Sequence, residues 1–470
     1  MVLELNITSA PYTFTLPVKG FIGTVSWGEG SSATSCSPLP GQPPCDGLTH
    51  TYSSTGTYTV RIGTGNGDSL QGFGLGCSTF YSAPISAVTS WGDWASDPNF
   101  TSLDGAFSGA SALTSVPSTF PSFVTDARCM FEAASGFNQD ISGWDVHNVT
   151  TMNSMFASAL SFNQPLNGWN VSHVSDFAAT FLAAHSFNQP LNSWNTSSAT
   201  RMSEMFFEAN SFDQNLASWD VSHVYTMADM FKYASSFSGS IGGWDTSTVT
   251  DMSNMFYGAT SFNSDISQWN TSNVTNMWAV FENAIAFNQP LNSWDTSSVT
   301  DMQQMFEGAS AFNQPLGDWD TSNVEYMGWL FHNAAAFNQT LSAWDVREVT
   351  DGQEMFDGSN LSTSNYSSLL ASWGQQAIQS NVTLGSVPAH YTAAASSGRQ
   401  ALVNAGWVFT DLGLEASPTP TPAPPPSNSS STESPSLAST GFNLLPTLEL
   451  GTVLFLAGMT LLIWRRRRTY

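Results

Sequence analysis

Large apolar side chains return through the middle of the chain every 25 residues. Trp144, Trp169, Trp194, Trp219, Trp244, Trp269, Trp294, Trp319 and Trp344 keep this spacing, and so does the phenylalanine series from Phe131 to Phe356. A second phenylalanine follows six residues behind each of these up to Phe331, from Phe137 to Phe337. No insertion or deletion breaks the register over more than 200 residues. A fixed period of this length marks an array in which each unit buries its apolar edge against the next. The sequence therefore predicts an elongated repeat solenoid rather than a globule. Such an array favours binding over catalysis.

Val249 to Asn273 spans one full unit. Val249, Met252, Met255, Phe256, Ala259 and Phe262 recur at three- and four-residue steps, which predicts one or two helical turns, with Thr250 and Asp251 as caps. Ile266 and Trp269 then face the core from a short strand, and Asn270-Thr271-Ser272 makes the corner. The strands should stack in parallel. Pro165, Pro190, Pro290 and Pro315 precede the Leu of that segment and belong at a strand entrance, because proline donates no ladder bond.

The regular repeats run over 131–356. Residues 85–130 hold an N-terminal cap and an atypical first repeat through Phe107, Ala110 and Leu113. Ahead of them, residues 1–80 alternate as half-buried strands do, for example Tyr12, Phe14 and Leu16, then Tyr58, Val60 and Ile62. A small all-β sandwich is expected there. Residues 357–415 should form a C-terminal cap. Pro, Ser and Thr dominate 416–436, which is expected to be a disordered, extended spacer.

Composition adds compartment and charge. The chain is 41% hydrophobic and only 10% charged, and four of its eleven basic residues are Arg465, Arg466, Arg467 and Arg468. Without the residues after Thr440 there remain 7 basic and 35 acidic residues, a formal charge of −28. That surface repels phosphate backbones and excludes nucleic acid as a partner. Cys36 and Cys45 flank a Pro/Gly-rich loop that a disulfide would close in an oxidising compartment. With Cys77 and Cys129, three pairings are open, and free thiols in a reducing compartment are the alternative. The N-terminal stretch lacks the basic and apolar regions of a secretory signal, at odds with the tail, so a missing true start is expected.

The repeat formula M-F-x-x-A-x-x-F-N-Q-x-L-x-x-W-(D/N)-(V/T)-S, carried from about Phe107 to Phe356, resembles the BspA-type leucine-rich-repeat surface proteins. The resemblance implies a leucine-rich-repeat-like fold and roles in adhesion or surface display, and no catalytic residues. Trp27-Gly28-Glu29-Gly30, then His50, Tyr52, Gly56, Tyr58 and Val60, resemble PKD-like β-sandwich domains.

The chain ends, over 437–470, with Leu437, Ala438, Ser439, Thr440 and Gly441, an apolar run of 15 residues from Leu450 to Trp464, and the four arginines. This trio resembles the LPxTG-like (here L-A-x-T-G) sorting signal of Gram-positive cell walls. It implies a C-terminal hydrophobic helix, stop-transfer at the arginines, and sortase cleavage after Thr440 with linkage to peptidoglycan. A single-pass membrane anchor is the alternative, although 15 apolar residues fall short of the ~20 that span a bilayer.

Other candidate chemistry reads as structure. Asp145, Asp220, Asp245, Asp295, Asp320 and Asp345, with Asn170, Asn195 and Asn270 in the same file, could form a calcium ladder. Free exchange of Asp and Asn beside Ser or Thr fits corner hydrogen bonds better. The Asn-Gln pairs such as Asn163-Gln164 should satisfy backbone groups between coils. His173 and His223 lie two coils apart, too far to share a metal, and the recurrent methionines fill core. No phosphate loop and no nucleophile with base and orienter is evident. The expectation is a non-enzymatic, cofactor-free surface protein that binds an unidentified extracellular protein or glycan, or serves as a passive spacer.

Overall fold

The computed structural model describes residues 1–30, 33–37, 42–63, 68–77 and 84–416. The spacer beyond residue 416, the sorting signal from Leu437 to Gly441, the hydrophobic segment and Arg465 to Arg468 all lie outside the described residues.

Alternation in the first 90 residues yields strands: β1 (Val2–Ile7), β2 (Tyr12–Leu16), β3 (Val18–Lys19), β4 (Gly23–Ser26), β5 (Ala33–Cys36), β6 (Leu48–Tyr52), β7 (Gly56–Ile62), β8 (Gly72–Phe73) and β9 (Ile85–Ser90). Five form one antiparallel sheet in the order β5-β4-β7-β1-β9, while β2 pairs with β6 and β3 with β8. Leu3, Leu5, Phe14, Val60 and Ile62 turn inward and are buried. β9 comes from the stretch that the repeat pattern assigns to the start of the array, yet β1 takes it as a partner through Leu3 and Val88. A disulfide joins Cys36 to Cys45, and a second joins Cys77 to Cys129 across 52 residues, bonding the strand region to the first regular repeat.

From β8 onward, single-residue parallel bridges step along the chain: Gly72 to Ser102, Asp126, Thr151, Asp176 and so on to Asp351. The same ladder thus joins the β-rich region to the repeats, and residues 1–416 form one compact unit. Each repeat is one coil stacked on the next. In the unit after Val249, Thr250 N–H donates to the Tyr225 carbonyl. Met252, Asn254, Phe256 and Gly258 N–H groups donate to Asn276, Trp278, Val280 and Glu282 carbonyls of the following coil, at 2.7–3.3 Å. Intervening N–H groups close turns within the coil: Met255 to Met252, Tyr257 to Asn254, Ala259 to Phe256.

The helix expected over Val249–Phe262 is therefore absent, and a chain of β-turns takes its place. The turns that begin at Met252 and at Phe256 each have a left-handed third residue, Asn254 (φ 54°) in the first and Gly258 (φ 67°) in the second. Consecutive turns return side chains to the core at i, i+3, i+4 and i+7, the same spacing a helix produces, so periodicity does not separate the two. The strand is displaced as well. The bridging residue is Asp251, expected as a helix cap, whereas Ile266–Trp269 is a turn closed by Trp269 N–H to Ile266. The tryptophan side chain links coils there instead: the Trp269 indole N–H donates to the Ile241 carbonyl of the preceding coil at 3.2 Å, and Trp244 to Leu216 at 2.9 Å.

Aromatic columns fill the interior. Phe256 stacks on Phe262 at 3.8 Å and on Phe281 of the next coil at 5.7 Å, and Trp244 and Trp269 lie nearly parallel with centroids 6.1 Å apart. The last coil replaces the recurrent Met with Gly352, where a Cβ would meet Leu384 at 2.9 Å. That space admits a cap made of α1 (Thr363–Trp373), β10 (Thr383–Val387), α2 (Ser396–Asn404) and β11 (Val408–Asp411), with β10 and β11 parallel. Tyr366, Leu369, Leu370 and Trp373 of α1 are buried. No described helix is long and apolar enough to cross a membrane.

Candidate ligand face

Most columns of the array hold one residue type from coil to coil. Some are buried; others are corners whose side chains complete the backbone. Asp245 Oδ1 accepts from Ser247 N–H at 3.1 Å and Asn270 Oδ1 from Ser272 N–H at the same distance, so carboxylate and amide do one job. Their neighbours hold the Asp245 and Asp295 carboxyls below the usual range, chiefly through the hydroxyls of Ser247 and Ser297. Asn288 Oδ1 accepts both the Asn313 N–H at 2.9 Å and the Gln314 amide at 3.0 Å, an inter-coil ladder. All nine tryptophans of the period are buried. His173 and His223 are exposed; His173 reaches the His147 carbonyl of the preceding coil and His223 the Ser222 hydroxyl beside it.

A few columns in the turn segment behave differently. The one after the Phe131 series reads Phe207, Lys232, Tyr257, Glu282, Glu307, His332 and Asp357 over successive coils. Several of these side chains touch residues of neighbouring irregular columns in the same segment. Lys232 Nζ sits 5.7 Å above the Phe207 ring and 5.1 Å from Tyr257, and pairs with Asp229 at 2.9 Å. Tyr233 packs at 4.8 Å from Tyr257. Further along, exposed Trp278 donates to Gln304 Oε1, and Gln304 donates to Glu307 at 2.8 Å. Tyr225, Tyr233, Trp278 and Tyr326 are each between 37% and 47% exposed, unlike the buried aromatic columns.

Tyr233 also sits at a left-handed backbone position. Its φ is 58°, where Gly258, Gly308 and Gly358 stand in three other coils and Ser158, Ala183, Glu208, Asn283 and Asn333, equally left-handed, in others. A side chain there costs roughly 1–2 kcal/mol of backbone strain. Tyr233→Gly relieves that strain while it loses ring contacts worth roughly 0.5–1.5 kcal/mol, so stability in denaturant titrations should change by less than ~1 kcal/mol. A loss near the ~3–5 kcal/mol typical of core aromatics would place Tyr233 in the core.

Glu282 is 8% exposed and its carboxyl is pushed up to about 7, first by burial and then by the charge of Glu307. Folding thus disfavours its ionised form. The cost is absent below the ordinary value of 4.5, where both states are protonated, and complete above about 7. Stability should fall as pH rises across this window, and Glu282→Gln should flatten that slope. Equal slopes for the two proteins between about pH 5 and pH 8 would contradict the assignment.

Sequence reasoning found the invariant columns and missed this face, whose only signal is departure from the repeat formula in register. The disulfide-bonded sulfurs of Cys77 and Cys129 beside Asp104 offer no thiolate to a metal. A family model described as a Mycoplasma protein of unknown function, DUF285, matches residues 101–219, 189–278 and 264–373. The chain belongs to the DUF285 family. The three tandem matches cover the coils that carry the irregular face, and the DUF285 description assigns them no activity. No curated protein matches the chain.

Proposed function

We propose that this chain is a non-catalytic cell-surface adhesin or interaction scaffold. Its irregular face would bind an extracellular protein or glycan. The observation that carries this reading is a patch of half-exposed aromatic and charged side chains, Lys232, Tyr233, Tyr257 and Trp278 among them, that departs from the repeat formula. Exposed aromatics with amide and carboxylate neighbours suit sugar rings and protein side chains alike, and need no cofactor. In this reading the coils are a leucine-rich-repeat-like solenoid of BspA type, the first strands a PKD-like sandwich, and the Pro-rich stretch a spacer. The DUF285 repeats and two disulfides are compatible with an exported protein. Sortase would cleave after Thr440 and join the chain to peptidoglycan, the membrane segment serving only before processing.

The test is a binding screen of the intact chain against glycans, matrix proteins and whole cells. A ligand whose affinity drops at least ~10-fold in the Tyr233→Ala/Trp278→Ala double variant supports the reading. Failure to bind any class favours a passive spacer. Mass analysis of surface material separately tests anchoring: chains ending at Thr440 are expected, and retained Arg468 would favour a membrane-anchored receptor.

A further inference from the structure

Near the C-terminal end of the irregular face, His332, Glu354 and Asp357 converge. One ligating atom from each lies within 4.8 Å of the others, and all three are half-buried. His332 Nε2 is 4.0 Å from both Glu354 Oε2 and Asp357 Oδ2. On its other edge, Nδ1 is buried, 3.3 Å from Glu307 Oε1, and has no aligned hydrogen-bond partner. The Asn333 amide donates to Nε2 at 3.2 Å, which leaves the ring proton on Nδ1, toward Glu307.

We propose that this cluster is a divalent-metal site, with His332 Nε2, Glu354 and Asp357 as ligands and Glu307 orienting the imidazole from behind. The inference stands apart from the adhesin reading. Three features argue for it. Charge comes first: among the described residues, the ion pairs of Glu307, Glu354 and Asp357 all go to His332. Three carboxylates therefore share one imidazole, which even when protonated leaves excess negative charge that a dication would balance. Polarity comes second. A lone pair on Nε2 facing two carboxylates is a cation's environment, and Glu307, 3.3 Å behind Nδ1, stands where a small rotation would align the carboxylate–histidine–metal hydrogen bond. Gln304, donating to the other oxygen of Glu307, steadies that carboxylate.

Distance comes third. Ligands on one metal stand roughly 3–3.4 Å apart at metal–ligand lengths of ~2.1 Å. The two histidine–carboxylate distances must contract by up to ~1 Å from 4.0 Å, and the carboxylate pair, within 4.8 Å, by at most roughly 1.8 Å, movements within reach of side-chain rotation. The ion would displace the Asn333 amide. One imidazole with two carboxylates selects Zn2+ or Mn2+ over Ca2+, which prefers an all-oxygen shell. Because His332 belongs to one coil and Glu354 and Asp357 to the next, bound metal would also clamp the end of the stack.

The experiment is calorimetric titration of the chelator-treated intact chain with Zn2+, Mn2+, Ca2+ and Mg2+. One Zn2+ or Mn2+ per chain is expected, at least ~10-fold tighter than Ca2+, with a rise in Tm on loading. His332→Gln and Asp357→Asn should each weaken binding at least ~10-fold, and Glu307→Gln by roughly 10-fold while one ion per chain is retained. His173→Ala, on an exposed and distant histidine, should change nothing. Circular dichroism of each variant separates lost binding from lost fold, and Glu354→Gln provides a second ligand variant of nearly unchanged volume. Absence of stoichiometric binding, or binding unaltered in folded His332→Gln and Asp357→Asn, overturns the proposal.

Discussion

Trp244→Ala should destabilise the middle of the stack by roughly 4–6 kcal/mol, the largest effect expected of any single substitution here. Two losses add. The indole is 3% exposed and lies between Trp219 at 6.4 Å and Trp269 at 6.1 Å, so its removal leaves a cavity shared by three coils. Deleting a buried aromatic of this kind costs roughly 3–5 kcal/mol. Its N–H also donates to the Leu216 carbonyl at 2.9 Å; that carbonyl keeps the Trp219 N–H at 3.0 Å, so the lost bond adds only roughly 0.5–1.5 kcal/mol. Trp244→Phe keeps much of the packing and loses chiefly the bond, so it should cost about 0.5–1.5 kcal/mol. Because each coil contacts only its neighbours, the damage should appear as accelerated amide exchange around residues 219–269 before global unfolding. A Trp244→Ala protein as stable as its parent would remove the tryptophan column from the account.

Loss of the Cys77–Cys129 disulfide comes next, at about 4 kcal/mol for a loop of 52 residues in the chain-entropy view. The bond ties the strand region to the first regular coil, where Asp104 also pairs with Lys19 at 3.3 Å and Arg128 at 3.4 Å. Cys129→Ser with Cys77→Ser should therefore lower the stability of the N-terminal junction and leave the coils beyond Trp194 unaffected. Cys36→Ala with Cys45→Ala opens a loop of only 9 residues and should cost less, about 2–3 kcal/mol. Denaturant titration with hydrogen exchange distinguishes these outcomes. An equal or smaller effect for the longer loop would mean that the junction is held by packing alone.

The period, the register and the buried faces of Trp and Phe are legible in the sequence because identical units must repeat their apolar contacts. Backbone conformation is not. The i, i+3, i+4, i+7 spacing from Met252 to Ala259 suits a helix and a run of β-turns equally. What decides between them is the neighbouring coil, which accepts every second N–H. Left-handed residues such as Asn254 and Gly258 were the available clue. Ile266–Trp269 resembles a strand in its inward side chains, yet the preceding coil is reached there by the indole N–H and not by backbone. The Cys77–Cys129 pairing joins distant segments and no local pattern announces it. The irregular face is hidden for the opposite reason: Lys232, Tyr233, Glu307 and His332 break the formula, and attention to the formula passes over them.

Indole exchange measures the stacking most directly. Each of the nine periodic tryptophans donates its N–H to a backbone carbonyl of the preceding turn of chain, from Trp144 to Pro117 through Trp344 to Leu316. With 15N-labelled tryptophan, nine indole resonances should resist hydrogen–deuterium exchange together, protected until the coils separate. If those indoles exchange as fast as free tryptophan while the chain remains folded, the coils do not lie one upon another in register.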